Sequence, residues 1–109
     1  MLEFWASWCG PCRGEIPHLK HVYQNYKDKG FEIISVSIDQ KNKDWQKAMK
    51  EEKMPWIQLN DPQGENGPAI QVYNVTGVPP CILLDKEGKI FKTNMRGAYL
   101  DAALEQLIP

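Results

Sequence analysis

Cys9 and Cys12 enclose Gly10-Pro11 at the point where a strand-like run, Leu2 to Trp5, gives way to a helical pattern. Two thiols three positions apart at the opening of a helix form a switch between dithiol and disulfide, and they tie a strand end, a turn and a helix start to one place. Free backbone N–H groups and the positive end of the helix dipole favour thiolate over thiol at the helix mouth. Cys9 is therefore the expected nucleophile. Cys12 lies one turn further in, close enough to attack a mixed disulfide on Cys9 but shielded from bulk solvent, which makes it the expected resolving thiol. A structural zinc site would need a second ligand pair, and a haem attachment would need His where Arg13 follows Cys12. The pattern favours redox chemistry over metal, with no cofactor.

The totals set few other demands. With 109 residues the chain is expected to form one domain, 1–109. A domain of this size buries about two thirds of the surface its unfolded form exposes. Net charge is -1 and there is no basic block, so neither nucleic acid nor an anionic membrane surface is expected as partner. No apolar run approaches the roughly 20 residues that span a bilayer. Met1 to Trp5 is too short and too acidic for a signal peptide. The 3 cysteines leave one over from any pairing, so they indicate a working pair and not a disulfide framework. Because the chain opens directly in strand sequence, with no turn or cap before it, an excised fragment lacking its N-terminal strands is expected.

From Cys9 the apolar positions Ile16, Leu19, Tyr23 and Tyr26 recur at helical spacing up to Lys29-Gly30, with Pro17 predicted to bend the helix. Phe31 to Ile38 reads as a strand, completing a βαβ unit with parallel pairing. Trp45, Ala48 and Met49 mark a short amphipathic helix, and Trp56 to Leu59 a brief edge strand. Asn60 to Gly67 is loop, and Pro68 to Tyr73 a short helix opened by proline. After the break at Gly77-Val78-Pro79-Pro80, the apolar run Cys81 to Leu84 suits a strand covered on both faces. Asp85 to Gly88 turns into a final strand, Lys89 to Asn94, and Leu100, Ala103, Leu104 and Leu107 place one stripe on a closing helix.

The stretch Phe4-Trp5-Ala6-Ser7-Trp8-Cys9-Gly10-Pro11-Cys12 resembles the active-site segment of the thioredoxin superfamily. Pro17 matches that family's kinking proline, and Val78-Pro79 resembles its cis-proline turn, in which the residue before the proline faces the cysteines. Pro80 can then open the following strand, a position that tolerates proline. The inserted segment Trp45 to Tyr73 and Glu15-Ile16-Pro17 are more similar to the TlpA/ResA-type bacterial thiol-disulfide reductases than to thioredoxin itself. The resemblance implies an α/β thioredoxin-like fold: a central mixed five-stranded sheet with helices on both faces. Its expected order is Trp56–Leu59, Phe31–Ile38, Leu2–Trp5, Cys81–Leu84, Lys89–Asn94, the last pair antiparallel.

By the same resemblance, Glu3 falls where thioredoxins keep a buried acidic residue beneath the active site. A desolvated carboxyl there has a raised pKa and can take the proton from Cys12, whereas in a frayed strand Glu3 would face water. Glu15, one turn from Cys12, is the alternative base, or an ordinary solvated helix charge. Trp8, Gly10, Pro11, Val78 and Pro79 are the expected substrate-facing residues. Cys81 reads as a small core hydrophobe, and His18 and His21 as surface residues with no metal site. The expected function is thiol-disulfide exchange with a disulfide-containing protein, in the reducing direction, fed by an upstream thiol reductant. A monomer in the bacterial periplasm or cell envelope is expected, with the cytoplasm as alternative. An inactive thioredoxin-fold binding or adaptor module is the competing reading; a thiol peroxidase lacks its Pro-rich cysteine motif.

Overall fold

The computed structural model describes residues 1–64, 81–93 and 97–108. Strand β1 (Leu2–Trp5) leads to helix α1 (Gly10–Tyr26) and a 3-10 turn (Lys27–Lys29), then β2 (Ile34–Ser37), α2 (Asn42–Glu52) and β3 (Ile57–Asn60). Beyond these come β4 (Cys81–Leu84), β5 (Ile90–Thr93) and helix α3 (Ala98–Leu107). The five strands form one mixed sheet in the order β3-β2-β1-β4-β5, the predicted order. β1 runs parallel to β2 and β2 parallel to β3, while β4 is antiparallel to both β1 and β5.

Where boundaries differ from expectation, the cause is local. The strand expected over Phe31–Ile38 shortens to Ile34–Ser37. Its first residues serve the exit from the preceding helix: Gly30 sits at φ 90 in the left-handed region, and the Phe31 N–H donates to the Tyr26 carbonyl at 3.3 Å. Phe31 and Ile33 still enter the core from that linker. The edge strand begins one residue later than expected, because Trp56 turns inward while Ile57 and Leu59 are exposed. Pro17 lies within α1 on its solvent side, and the helix continues past it. The helix expected over Pro68–Tyr73 and the Gly77–Pro80 turn lie outside the described residues.

Alternation along the strands divides the core. Phe4, Val36 and Ile82 pack together on one side of the sheet. On the other side Leu19 and Val22 of α1 meet Leu83 and the α3 residues Leu100, Ala103 and Leu104. Near the cysteines, Trp5, Ala6, Cys9 and Cys12 pack with Ala48 of α2. Between β4 and β5, Asp85 Oδ1 accepts from the backbone N–H groups of Glu87 and Lys89, and Gly88 at φ 81 completes the turn. Leu100 is fully buried at the α1–α3 contact, so Leu100→Ala is expected to lower the unfolding free energy by about 2–5 kcal/mol. Ile90→Ala, at a half-exposed position, is expected to cost under about 1 kcal/mol, and urea titration of both variants checks the contrast.

Candidate active site

The cysteines sit at the C-terminal edge of the parallel strands, where β1 ends and α1 begins. Cys9 is the N-cap of α1 in extended conformation, and its sulfur accepts the Cys12 N–H at 3.2 Å. Pro11 occupies the first turn, where its missing N–H costs nothing. Cys9 and Cys12 form a disulfide with Cα atoms 5.3 Å apart. Both are buried, Cys12 at 2% exposure more than Cys9 at 6%. Trp8, immediately before them, is 65% exposed and faces outward.

Glu3 is withdrawn from water, at 2% exposure, and is not part of a frayed strand end. The parallel register sets Glu3 against Ser35, so both side chains emerge on the same side of the sheet. The Ser35 hydroxyl donates to Glu3 Oε2 at 2.5 Å, and the Trp56 indole N–H donates to Ser35 Oγ at 2.8 Å. Glu3 Oε1 is buried with no hydrogen-bond partner among the described residues. Desolvation pushes the Glu3 carboxyl up to about 7; the Ser35 hydrogen bond opposes that shift and the charge of Glu15 adds to it. Glu15 itself is half-buried and accepts the Gly97 N–H at 2.9 Å, which holds the start of α3 against α1.

A second buried carboxylate anchors the approach to the cysteines. Asp39 follows β2 as Ser7 follows β1, and the two meet where the strands end. Asp39 accepts from the Ser7 backbone N–H at 3.0 Å, from Ser7 Oγ at 2.6 Å and from Ser37 Oγ at 2.6 Å. Asn60 of β3 donates to the Asp39 carbonyl at 3.0 Å, so the ends of three parallel strands are joined. Arg13 ties the same loop to α2, donating to the Ser7 carbonyl at 3.2 Å and to Glu52 at 2.6 Å; the Glu52 bond raises the guanidinium pKa further. Beside Trp8 a cavity of about 410 Å³ opens between Gln40, Lys41, Asp44 and Gly64. Gly64, at φ 66, lets the loop after β3 approach the Ile38 carbonyl, which an added Cβ would meet at 3.2 Å.

The structure thus brings together Cys9, Cys12, Trp8, Gly10 and Pro11, with Glu3 and Glu15 on the side of the sheet that α1 covers. Val78 and Pro79 lie outside the described residues. Cys81 is buried opposite Glu3 across the β1–β4 pairing. His21 is exposed, while His18 Nε2 stands 3.5 Å from Asp101 Oδ2 at the α1–α3 contact. Ser35, Asp39, Ser7 and Trp56 were not singled out by sequence. The signal available was strand parity: once β1 and β2 are paired in parallel, Ser35 and Ser37 share the inward face with Glu3 and Trp5.

A mixed sheet of order β3-β2-β1-β4-β5, with a cysteine pair capping the helix that follows its central strand, defines a thioredoxin-like domain. The family model described as Thioredoxin-like matches residues 1–90, and the chain belongs to that family. Thiol-disulfide oxidoreductase ResA of Bacillus thuringiensis subsp. konkukian is 32% identical over 107 residues, covering 98% of this chain and 60% of the relative. The chain therefore spans about three fifths of that relative's length. The crystal structure of the thioredoxin domain of a thiol-disulfide oxidoreductase from Bacteroides vulgatus is similar at TM-score 0.89 and 37% identity, covering 99% of this chain and 77% of the other. A thiol-disulfide oxidoreductase from Bacteroides fragilis gives TM-score 0.89 at 33% identity, covering 97% of this chain and 78% of the other.

Glu3 has a folded-state pKa of about 7 against an ordinary 4.5, so it stabilises the fold fully below pH 4.5, and that contribution is lost as pH rises through 7. The expected loss is on the order of 3 kcal/mol. Glu3→Gln is expected to remove this slope and to be more stable than the native sequence above pH 7, measured by urea unfolding of the oxidised protein across pH. Asp39→Ala, which leaves Ser7 and Ser37 without their acceptor, is expected to lower the unfolding free energy by about 2–4 kcal/mol.

Proposed function

We propose that the chain is a thiol-disulfide oxidoreductase that reduces disulfides in proteins. The observation that carries this reading is the Cys9–Cys12 disulfide at the N-terminus of α1, with the buried Glu3 on the side of the sheet that α1 covers. In the reduced protein the Cys9 thiolate attacks one sulfur of a substrate disulfide; that S–S bond breaks and one substrate thiolate departs. Cys12 then gives its proton to the Glu3 carboxylate and attacks Cys9 Sγ, so the mixed disulfide breaks, the second substrate thiolate leaves and the Cys9–Cys12 disulfide forms. Two electrons have passed to the substrate, and an upstream thiol reductant must return them.

Glu3 is the better-supported base. A buried carboxyl near neutrality matches the ambient pH, whereas Glu15 is engaged with the Gly97 N–H. Trp8, Gly10 and Pro11 form the surface that meets the substrate, with Val78-Pro79 pairing with its extended backbone as the family resemblance implies. Gly10-Pro11 resembles the reducing members, which favours a potential nearer the roughly -270 mV of thioredoxin than the roughly -120 mV of strong oxidants. The TlpA/ResA resemblance favours the bacterial envelope as compartment. No described helix is long and apolar enough to cross a membrane.

Reduction of insulin disulfides by the reduced protein tests the reading. Cys9→Ser is expected to abolish turnover, and Cys12→Ser to accumulate a mixed disulfide visible on non-reducing gels. A folded native chain that leaves insulin intact would instead favour a binding module.

A further inference from the structure

We propose that Ser35 and Trp56 are positioning residues that hold Glu3 so that its exchangeable proton is carried on Oε1. This inference rests on the reading of Glu3 as the base for Cys12. Its geometry follows from donor counting. An indole nitrogen can only donate, so at 2.8 Å from Trp56 Nε1 the Ser35 oxygen must accept. Ser35 then has one proton of its own to give, and Glu3 Oε2 lies 2.5 Å away. The other acceptor near that hydroxyl, Met54 Sδ, is weak and stands at 4.0 Å. Oε2 is therefore held as an acceptor whether Glu3 is charged or neutral.

Oε1 has no such neighbour. It is buried without a hydrogen-bond partner among the described residues of the oxidised protein, so a proton on Glu3 resides there. In the resolving step the Cys12 S–H proton passes to Oε1, the Cys12 sulfur bonds to Cys9 Sγ, and the electron pair of the broken Cys9–substrate bond leaves on the substrate sulfur. Ser35, oriented by Trp56, keeps the second oxygen from competing for that proton and favours the charged form that accepts it. Besides Cys12, the proton donor of the proposed step, the ionisable groups set against Glu3 among the described residues are Glu15 on α1, whose charge raises it, and Cys81, its register partner on β4. Neither can donate a compensating cationic hydrogen bond, so the Ser35 hydroxyl is the polar contact that opposes desolvation. The residues are placed for this by sheet register: Ser35 is the direct partner of Glu3, and Trp56 turns inward just before β3 begins.

The test is the pH dependence of mixed-disulfide resolution in single-turnover reaction of the reduced full chain with a cystine-containing peptide, paired with a carbon-13 carboxyl NMR titration of Glu3. Ser35→Ala is expected to move both midpoints upward by about one pH unit or more, because a hydrogen bond to the charged carboxylate is lost. Trp56→Phe keeps the ring and removes only the indole donor; its midpoints are expected to move in the same direction by less. Ser35→Thr retains the hydroxyl and is expected to restore the native profile. Should Ser35→Ala not fold, Trp56→Phe and Ser35→Thr carry the comparison. Glu3→Gln separates the two ideas. If Glu3→Gln abolishes the inflection while Ser35→Ala and Trp56→Phe leave the midpoints in place, the positioning role is overturned and the base remains. If Glu3→Gln leaves the profile untouched, Glu3 is not the base and both inferences fall.

Discussion

The parallel register of β1 on β2 determines what stands behind the cysteines. Leu2 pairs with Ile34 and Trp5 with Ser37, and everything between follows from that alignment. Glu3 meets Ser35 because they are partners on one side of the pleat, and Ser7 meets Asp39 because both chains leave the sheet together. A slip of one residue would turn Glu3 toward Phe4's side of the sheet and leave Ser7 without its anchor. The apolar cluster of Phe4, Val36 and Ile82 resists such a slip, since those residues would have to exchange places with serines and a carboxyl.

Two carboxyls are buried near one disulfide, and they are treated differently. Asp39 is surrounded by donors from Ser7 and Ser37, which occupy both of its oxygens. Glu3 receives one hydroxyl and, among the described residues, its other oxygen has no partner. The first arrangement fixes the loop that delivers Trp8 and Cys9; the second leaves a group poised to change its protonation state near neutrality. One acid is tied into the loop before the cysteines, and the other is held through Ser35 with its carboxyl pKa raised toward neutrality.

Much of the fold was legible in the sequence. The apolar runs and the Gly30 helix stop marked the elements, the family resemblance of the Cys-Gly-Pro-Cys segment implied their order in the sheet, and the thiols were the most conspicuous part of the site. What escaped were residues whose importance exists only across strands. Ser35 and Ser37 look like ordinary polar interruptions of a strand, and Asp39 like its terminator, until β1 is laid beside them. Trp56 carries no local sign that its indole nitrogen reaches a serine twenty-one residues earlier. The two fates open to Glu3, buried or frayed, could not be separated by its neighbours in sequence, because burial depends on α1 and β4 closing over β1.

The hydrogen bond from Gly97 to Glu15 spans 82 positions, and β1 likewise waits for β4 to complete its pairing. The thiols thus precede in the chain the β4 strand and the start of α3 that close over β1 and α1. On the ribosome the segment carrying Cys9 and Cys12 therefore emerges well before the residues that enclose it. During that interval β1 lacks its β4 partner and Glu15 lacks the Gly97 N–H, so the enclosure of the pair is incomplete. Synthesis order thus leaves the two thiols without their final surroundings until β4 and α3 have followed them.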